Sequence, residues 1–192
     1  MDRRVKGMKF EKVGQFHFTE EFIRCIKYGN LDKALDVDSS NISYIYDLAL
    51  YIYDNIKLPV RSTKGSAGYD FTYPVSLKFE KNVLVYIPTG ISWCSGGEEN
   101  GYYLSLFPRS SLGIKYSFRE PNLVSIIDED YYGCKSNGGH IRLHLKNEGN
   151  NGVCIIDAGS SYSQAIISRY FITEDDNVTD TRIGGIGSTT RK

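Results

Sequence analysis

The chain has 192 residues, of which 41% are hydrophobic, 24% charged and 13% aromatic, enough apolar material for a packed interior and far from a disordered composition. With 23 Lys plus Arg against 23 Asp plus Glu, no global positive field exists to hold nucleic acid or anionic membrane, so an anionic ligand must be captured locally. No apolar run reaches the roughly 18 residues that cross a bilayer, and the charged start has no apolar stretch behind it, so neither secretion nor membrane insertion is expected and the cytoplasm is the predicted location.

In chain order, residues 1–57 differ in texture from the rest. Phe18-Thr19-Glu20-Glu21-Phe22-Ile23 predicts a short helix with Thr19 as N-cap, stopped near Lys27 and Gly29. A second helix is predicted over residues 43–55, where Ile45, Leu48, Tyr51 and Ile52 recur on a helical period. From Leu58 the texture changes to short β-type runs, at residues 71–75, 83–87, 102–107, 124–127, 141–145, 153–156 and 165–172, separated by Gly, Pro, Asn and Ser. Such spacing predicts a sandwich, jelly roll or barrel. Residues 173–192 carry an acidic stretch and then a glycine-rich basic tail without apolar periodicity, which predicts a flexible arm. Cys25, Cys94, Cys134 and Cys154 form no C-x-x-C pair and read as reduced thiols. His17, His140 and His144 show no metal-ligand spacing with a third group.

Four segments are richer in chemistry than ordinary loops. Gly65-Ser66-Ala67-Gly68-Tyr69-Asp70 delivers a carboxylate at the head of a strand, suited to a hydrated Mg²⁺ or to a plain Asx turn. Phe107-Pro108-Arg109-Ser110-Ser111-Leu112-Gly113 brings an arginine and two hydroxyls out of a strand together, either a phosphate-binding set or a solvated turn. In Asn122-Leu123-Val124-Ser125-Ile126-Ile127-Asp128-Glu129-Asp130-Tyr131-Tyr132-Gly133 an apolar run leads into three carboxylates; Asp128 follows it directly and is expected to be partly buried, as a general base requires. The last, residues 181–192, holds glycines, hydroxyls and bases that can wrap a polyphosphate with backbone amides or simply fray.

Taken in order, these segments resemble the motifs of the trimeric deoxyuridine triphosphatase (dUTPase) family. Residues 66–70, 108–113 and 122–133 resemble the first three motifs, residues 159–164 a worn fourth, and residues 184–189 the fifth; together they span roughly residues 58–190. The resemblance implies an all-β, distorted jelly-roll (β-clip) fold for the domain at residues 58–172; the helical N-terminal extension at 1–57, read from its own pattern, lies outside the motifs and has no assigned role, and residues 173–192 form the expected flexible arm. It implies dUTP as substrate, Mg²⁺ as cofactor and a homotrimer whose sites borrow motifs from three chains. Asp70 would meet the metal through water. Arg109, Ser110, Ser111 and Gln164 would face the phosphates, and Asp128 would activate the attacking water. Asn122 and the backbone of the following hairpin, Ile127 included, would read uracil, with Tyr131 packed on the deoxyribose. Arg182, Ile186, Gly187 and Ser188 would close the site from the tail.

The chain also departs from the family pattern. Ser160 and Ser161 stand where an acidic residue and an arginine are usual, Ile186 where an aromatic would cover the base, and Ser125 where a glycine is common. Residues 134–140 lengthen a turn. Two alternatives stay open at this stage. One is a dCTP deaminase of the same fold, which needs a glutamate in the base pocket. The other is a regulator that binds dUTP without hydrolysing it.

Overall fold

The computed structural model describes residues 4–97, 101–150, 152–182 and 184. The elements in order are β1 (Met8–Lys12), α1 (Gln15–Tyr28), α2 (Leu31–Leu35), α3 (Ile42–Asn55), β2 (Tyr69–Thr72), β3 (Leu77–Phe79), β4 (Leu84–Pro88), β5 (Ile91–Ser95), β6 (Tyr102–Pro108), α4 (Ser110–Tyr116), β7 (Phe118–Arg119), β8 (Ser125–Asp128), a 3-10 turn (Glu129–Tyr131), β9 (Arg142–Asn147), β10 (Cys154–Ile156) and β11 (Ser161–Arg169). Strands dominate, as expected. They form four antiparallel sheets, β1–β5, β3–β10, β2–β11–β6–β8 and β4–β9–β7.

Both predicted helices are present, but the first begins five residues early. Gly14 takes the N-cap position, and Thr19 lies inside the helix with its Oγ1 donating to the Gln15 carbonyl at 2.9 Å. A threonine can serve a cap or bond back one turn, and here the buried stripe of Phe18, Phe22, Cys25 and Ile26 extends the helix past it. The second helix starts where Asn41 accepts the Tyr44 N–H, an ordinary side-chain cap. α1 ends at Gly29, where a Cβ would stand 2.6 Å from the Tyr86 Cβ. The missing side chain lets the helix end dock on β4, and the Gly29 carbonyl accepts the Tyr86 N–H at 2.9 Å.

The helices and strands bury one common core. Phe18, Phe22 and Leu31, with Ile45 and Ile52, belong to the same apolar cluster as Leu77, Ile87, Trp93, Leu104 and Leu143. β1, which the sequence did not suggest, pairs with β5 from Met8 opposite Ser95 to Lys12 opposite Ile91. It also reaches the acidic hairpin: Glu11 takes Lys9 at 2.7 Å and a hydrogen bond from the Tyr132 hydroxyl.

Two histidines, His140 buried and His144 half-buried, are held in their neutral form. The His140 Nε2 accepts the Gly90 N–H at 2.8 Å, and burial pushes the imidazole down to about 3. The His144 Nε2 accepts from the Arg142 Nε at 2.9 Å; burial first, and Arg142 second, push it to about 4. Glu120 runs the other way, raised by burial to about 7. Histidine in the unfolded chain takes up its proton near pH 6.5, so below that pH the unfolded state binds two protons that the native state refuses, while the native state holds one extra on Glu120. The net is one proton favouring unfolding, so stability should fall by about 3 kcal/mol from pH 6.5 to 4.5. Urea titrations across that range test this; a midpoint that stays level would show that these groups do not govern acid stability.

Candidate active site

The four-stranded sheet assembles distant segments by register. On β11, Gln164 lies opposite Asp70 of β2 on one side and opposite Phe107 of β6 on the other. Arg109 follows two residues after Phe107, and its guanidinium reaches the Asp70 Oδ2 at 3.2 Å. Ser62 donates to the same oxygen at 3.2 Å. Below them the buried Ser163 hydroxyl donates to the Phe107 carbonyl at 2.7 Å, holding the end of β6. Asp70, Arg109 and Gln164, expected from separate motifs, are thus brought together. Ser110 and Ser111 are exposed at the start of α4, a short helix packed beside β7 where a turn was expected; serines carry only a weak helical preference.

Gly68 is required by this cluster. A Cβ there would come within 2.3 Å of the Gln164 Oε1. The obstacle is the far end of a flexible side chain, so Gly68→Ala should fold with little loss of stability and push the amide aside. If Gln164 binds the triphosphate that the motif resemblance implies, losing that one hydrogen bond to a charged ligand would weaken nucleotide affinity about tenfold. Calorimetry and thermal unfolding of the variant separate the two effects; unchanged affinity would remove Gln164 from the binding set.

The acidic hairpin forms a second cluster. Asp128, at the end of β8, lies opposite Tyr103 of β6. Its side chain is 55% exposed, more open than the sequence suggested, because alternation along β8 turns Ile127 into the core and Asp128 outward. What burial it has raises its carboxyl above the ordinary range; Arg182 works against that shift and Asp130 adds to it. Arg182 spans both carboxylates, with Nη2 at 2.5 Å from Asp128 and Nε at 2.8 Å from Asp130. Its guanidinium also lies 5.7 Å from the centre of the Tyr131 ring. Tyr131 is buried, donating to the His140 carbonyl at 3.0 Å and accepting from the Asn137 amide at 2.7 Å. The pair of Glu129 with the Tyr170 hydroxyl, at 2.6 Å, had no signal in the sequence.

Asn122 is exposed on the turn between β7 and β8, where Leu123 takes a left-handed backbone at φ +64°. The Ile127 side chain is in the core at 3% exposure, opposite Leu104. Ile186, Gly187 and Ser188 lie outside the described residues.

The two clusters stand apart in one chain. Tyr103, opposite Asp128, and Arg109 are six residues apart along β6, which at about 3.3 Å per residue is roughly 20 Å. Among the described residues, no three His, Cys, Asp or Glu side chains group as metal ligands, and no helix is long and apolar enough to cross a membrane. A single carboxylate beside an arginine and an amide suits a strongly hydrated Mg²⁺, which takes only one or two protein oxygens and keeps most of its waters.

Comparisons with known proteins give the family. Residues 54–190 match the sequence profile of the dUTPase family. The deoxyuridine 5'-triphosphate nucleotidohydrolase of Lactococcus lactis is 32% identical over 137 residues, covering 70% of this chain and 88% of its own. That of Wolinella succinogenes is 30% identical over 145 residues, covering 73% and 91%. The crystal structure of Streptococcus mutans dUTPase superimposes with a TM-score of 0.53 at 31% identity, covering 61% of this chain and 88% of that one. The dUTPase of phage phi11 of S. aureus, at 20% identity, shares the fold with a TM-score of 0.52 over 66% and 92%. The jelly-roll expectation therefore holds, and with the motif residues gathered on one sheet and the profile matched across most of the chain, this protein belongs to the dUTPase family.

Proposed function

We propose that this chain hydrolyses dUTP to dUMP and pyrophosphate, as a Mg²⁺-dependent homotrimer with sites shared between chains. The observation that carries the reading is the convergence of Asp70, Arg109 and Gln164 at one end of β6 while Asp128 sits at the other. A base and a phosphate clamp roughly 20 Å apart can serve one substrate only if a second copy supplies one of them, which a closed symmetric assembly does.

In this reading Arg109 and Gln164 hold the phosphate chain, with Ser110 and Ser111 at the strand exit, and fix it in line for attack. Asp70 would hold a bound Mg²⁺ through water, and that ion would supply charge neutralisation for the triphosphate. Asp128 takes a proton from water as the water oxygen bonds to the α-phosphorus and the bridging oxygen leaves with pyrophosphate. Asn122 and the hairpin backbone read the uracil, and Tyr131 presents its ring to the sugar. Arg182 holds the Asp128 Oδ2 at 2.5 Å and lowers the basicity of this carboxylate, so its departure would leave Asp128 the stronger base and both oxygens open to water. The triphosphate, with several negative charges, is the natural competitor for that guanidinium, and Ile186, Gly187 and Ser188 would follow it over the site.

The test is pyrophosphate release measured with dUTP, dCTP, dTTP and UTP, with ammonia assayed alongside. Release from dUTP alone is expected. Ammonia from dCTP would make the protein a deaminase, and tight dUTP binding without release would make it a regulator.

A further inference from the structure

Glu120 is a carboxylate where the fold has no obvious use for one. Only 2% of the residue is exposed, and it sits between the two-residue strand β7 and the turn that carries Asn122. Its main-chain carbonyl accepts the Leu123 N–H at 2.9 Å, and the turn is tightened by Val124 donating to the Asn122 carbonyl at 2.7 Å. Its side chain leaves the turn altogether. Oε1 accepts the His144 N–H at 3.4 Å, taking over the edge of β9 where β7 stops pairing at Arg119 opposite Lys146. The Ser125 hydroxyl, at the far side of the turn, favours its charged form. Oε2 is buried without a hydrogen-bond partner. A backbone N–H at a strand end could be satisfied by an amide, a hydroxyl or a water, so edge-capping alone accounts for one oxygen and not for a buried acid.

The groups facing it leave its ionisation uncompensated. On β9, His144 is neutral, with its Nε2 committed to Arg142. Arg142 in turn is spent on Glu21 of α1 at 2.7 Å and lies over the Tyr86 ring of β4. β8 offers Ser125 and no cation; β7 offers Arg119, 63% exposed and paired with Glu148 at 3.1 Å. An ionised carboxylate in that setting must draw in water or shift the turn.

We propose that Glu120 is a positioning residue for base recognition: it fastens both ends of the Asn122 turn to β9, so that the shape of the turn, and with it the affinity for dUTP, depends on whether this carboxyl carries a proton. The inference rests on the proposed reading of Asn122 as the residue facing the base. With burial raising the group to about 7, the protonated, base-reading turn predominates below neutrality, and the ionised, loosened turn takes over above it. The proposed enzyme would bind its substrate less tightly as the medium turns alkaline, without any change at the water-activating carboxylate.

The experiment uses the full chain with Mg²⁺ and measures KM and kcat for dUTP from pH 5.5 to 8.5 in wild type and Glu120→Gln. The γ-phosphate of dUTP also titrates in this range, but it does so for both proteins, so the ratio of their KM values is the readout. That ratio, wild type over variant, should rise by about tenfold across neutrality, the scale of one lost hydrogen-bonded contact, while the kcat ratio stays level. Ser125→Ala, which removes the hydroxyl favouring the charged form, should move the inflection to higher pH. A KM ratio independent of pH in an active enzyme overturns the proposal and leaves the dUTPase reading standing. A wild type that does not hydrolyse dUTP overturns both. Should Glu120→Gln fail to fold, the Ser125→Ala shift decides alone, and an unmoved inflection counts against the proposal.

Discussion

Asp128→Asn is expected to lower dUTP hydrolysis at least about a hundredfold, the lower end of what a general base contributes. The substitution keeps the shape and removes the basic oxygen. Nucleotide binding should survive, since the proposed phosphate clamp lies at the other end of β6. Arg182 would lose one of its two carboxylates, keeping Asp130 at 2.8 Å; with the base more than half exposed, that ion pair is worth little to stability. Single-turnover pyrophosphate release and dUTP titration of the same variant give both quantities. Near-normal release would remove Asp128 from the chemistry.

A larger signal comes from mixing two dead enzymes. Arg109→Ala removes the proposed clamp and Asp128→Asn the proposed base, so each protein alone should be nearly inactive. If a site takes Asp128 from one chain and Arg109 from another, co-refolding the two at equal concentration restores intact sites in about a quarter of positions, because each contribution is wild type half the time. Activity should therefore return to about a quarter of wild type. A site contained within one chain would show no recovery at any ratio. Sedimentation of the mixture confirms that subunits have exchanged.

What the sequence disclosed and what it withheld follow from the range of the forces involved. β6 and β9 could be read because Tyr102 to Phe107 and Ile141 to Leu145 are compact runs of β-formers bounded by Gly, Pro or Asn. β1 could not: Met-Lys-Phe-Glu-Lys alternates, but within a charged terminus, and its alternation means something only when β5 stands opposite. β7, at two residues, is shorter than any pattern. Among site residues, Asp70, Arg109 and Gln164 were legible as motif members, though only register between β2, β11 and β6 shows that they meet. The clasp of Arg182 on Asp128 joins residues 54 apart in sequence and has no local signature. Glu120, between Arg119 and Pro121, reads as one more surface charge; its burial depends on how β7 ends against β9. Thr19 illustrates the opposite error, a good local cap signal overridden by the apolar stripe around it.

The pairing of β1 with β5 bears on what should be expressed if the protein is to be handled in the laboratory. The part of the chain that its relatives share begins at residue 54, and trimming to that boundary looks natural. It would uncover Trp93 and Ile91, both 1% exposed, and strip β5 of the strand that hydrogen-bonds its edge. It would also remove the helices α1 and α2 that pack on β4, the strand that carries Ile87. An unpaired, apolar strand edge is a template for joining other chains. The unit of common descent and the unit of folding thus have different boundaries in this molecule, and a fragment of residues 54–190 should be recovered as aggregate where the whole chain is recovered in solution.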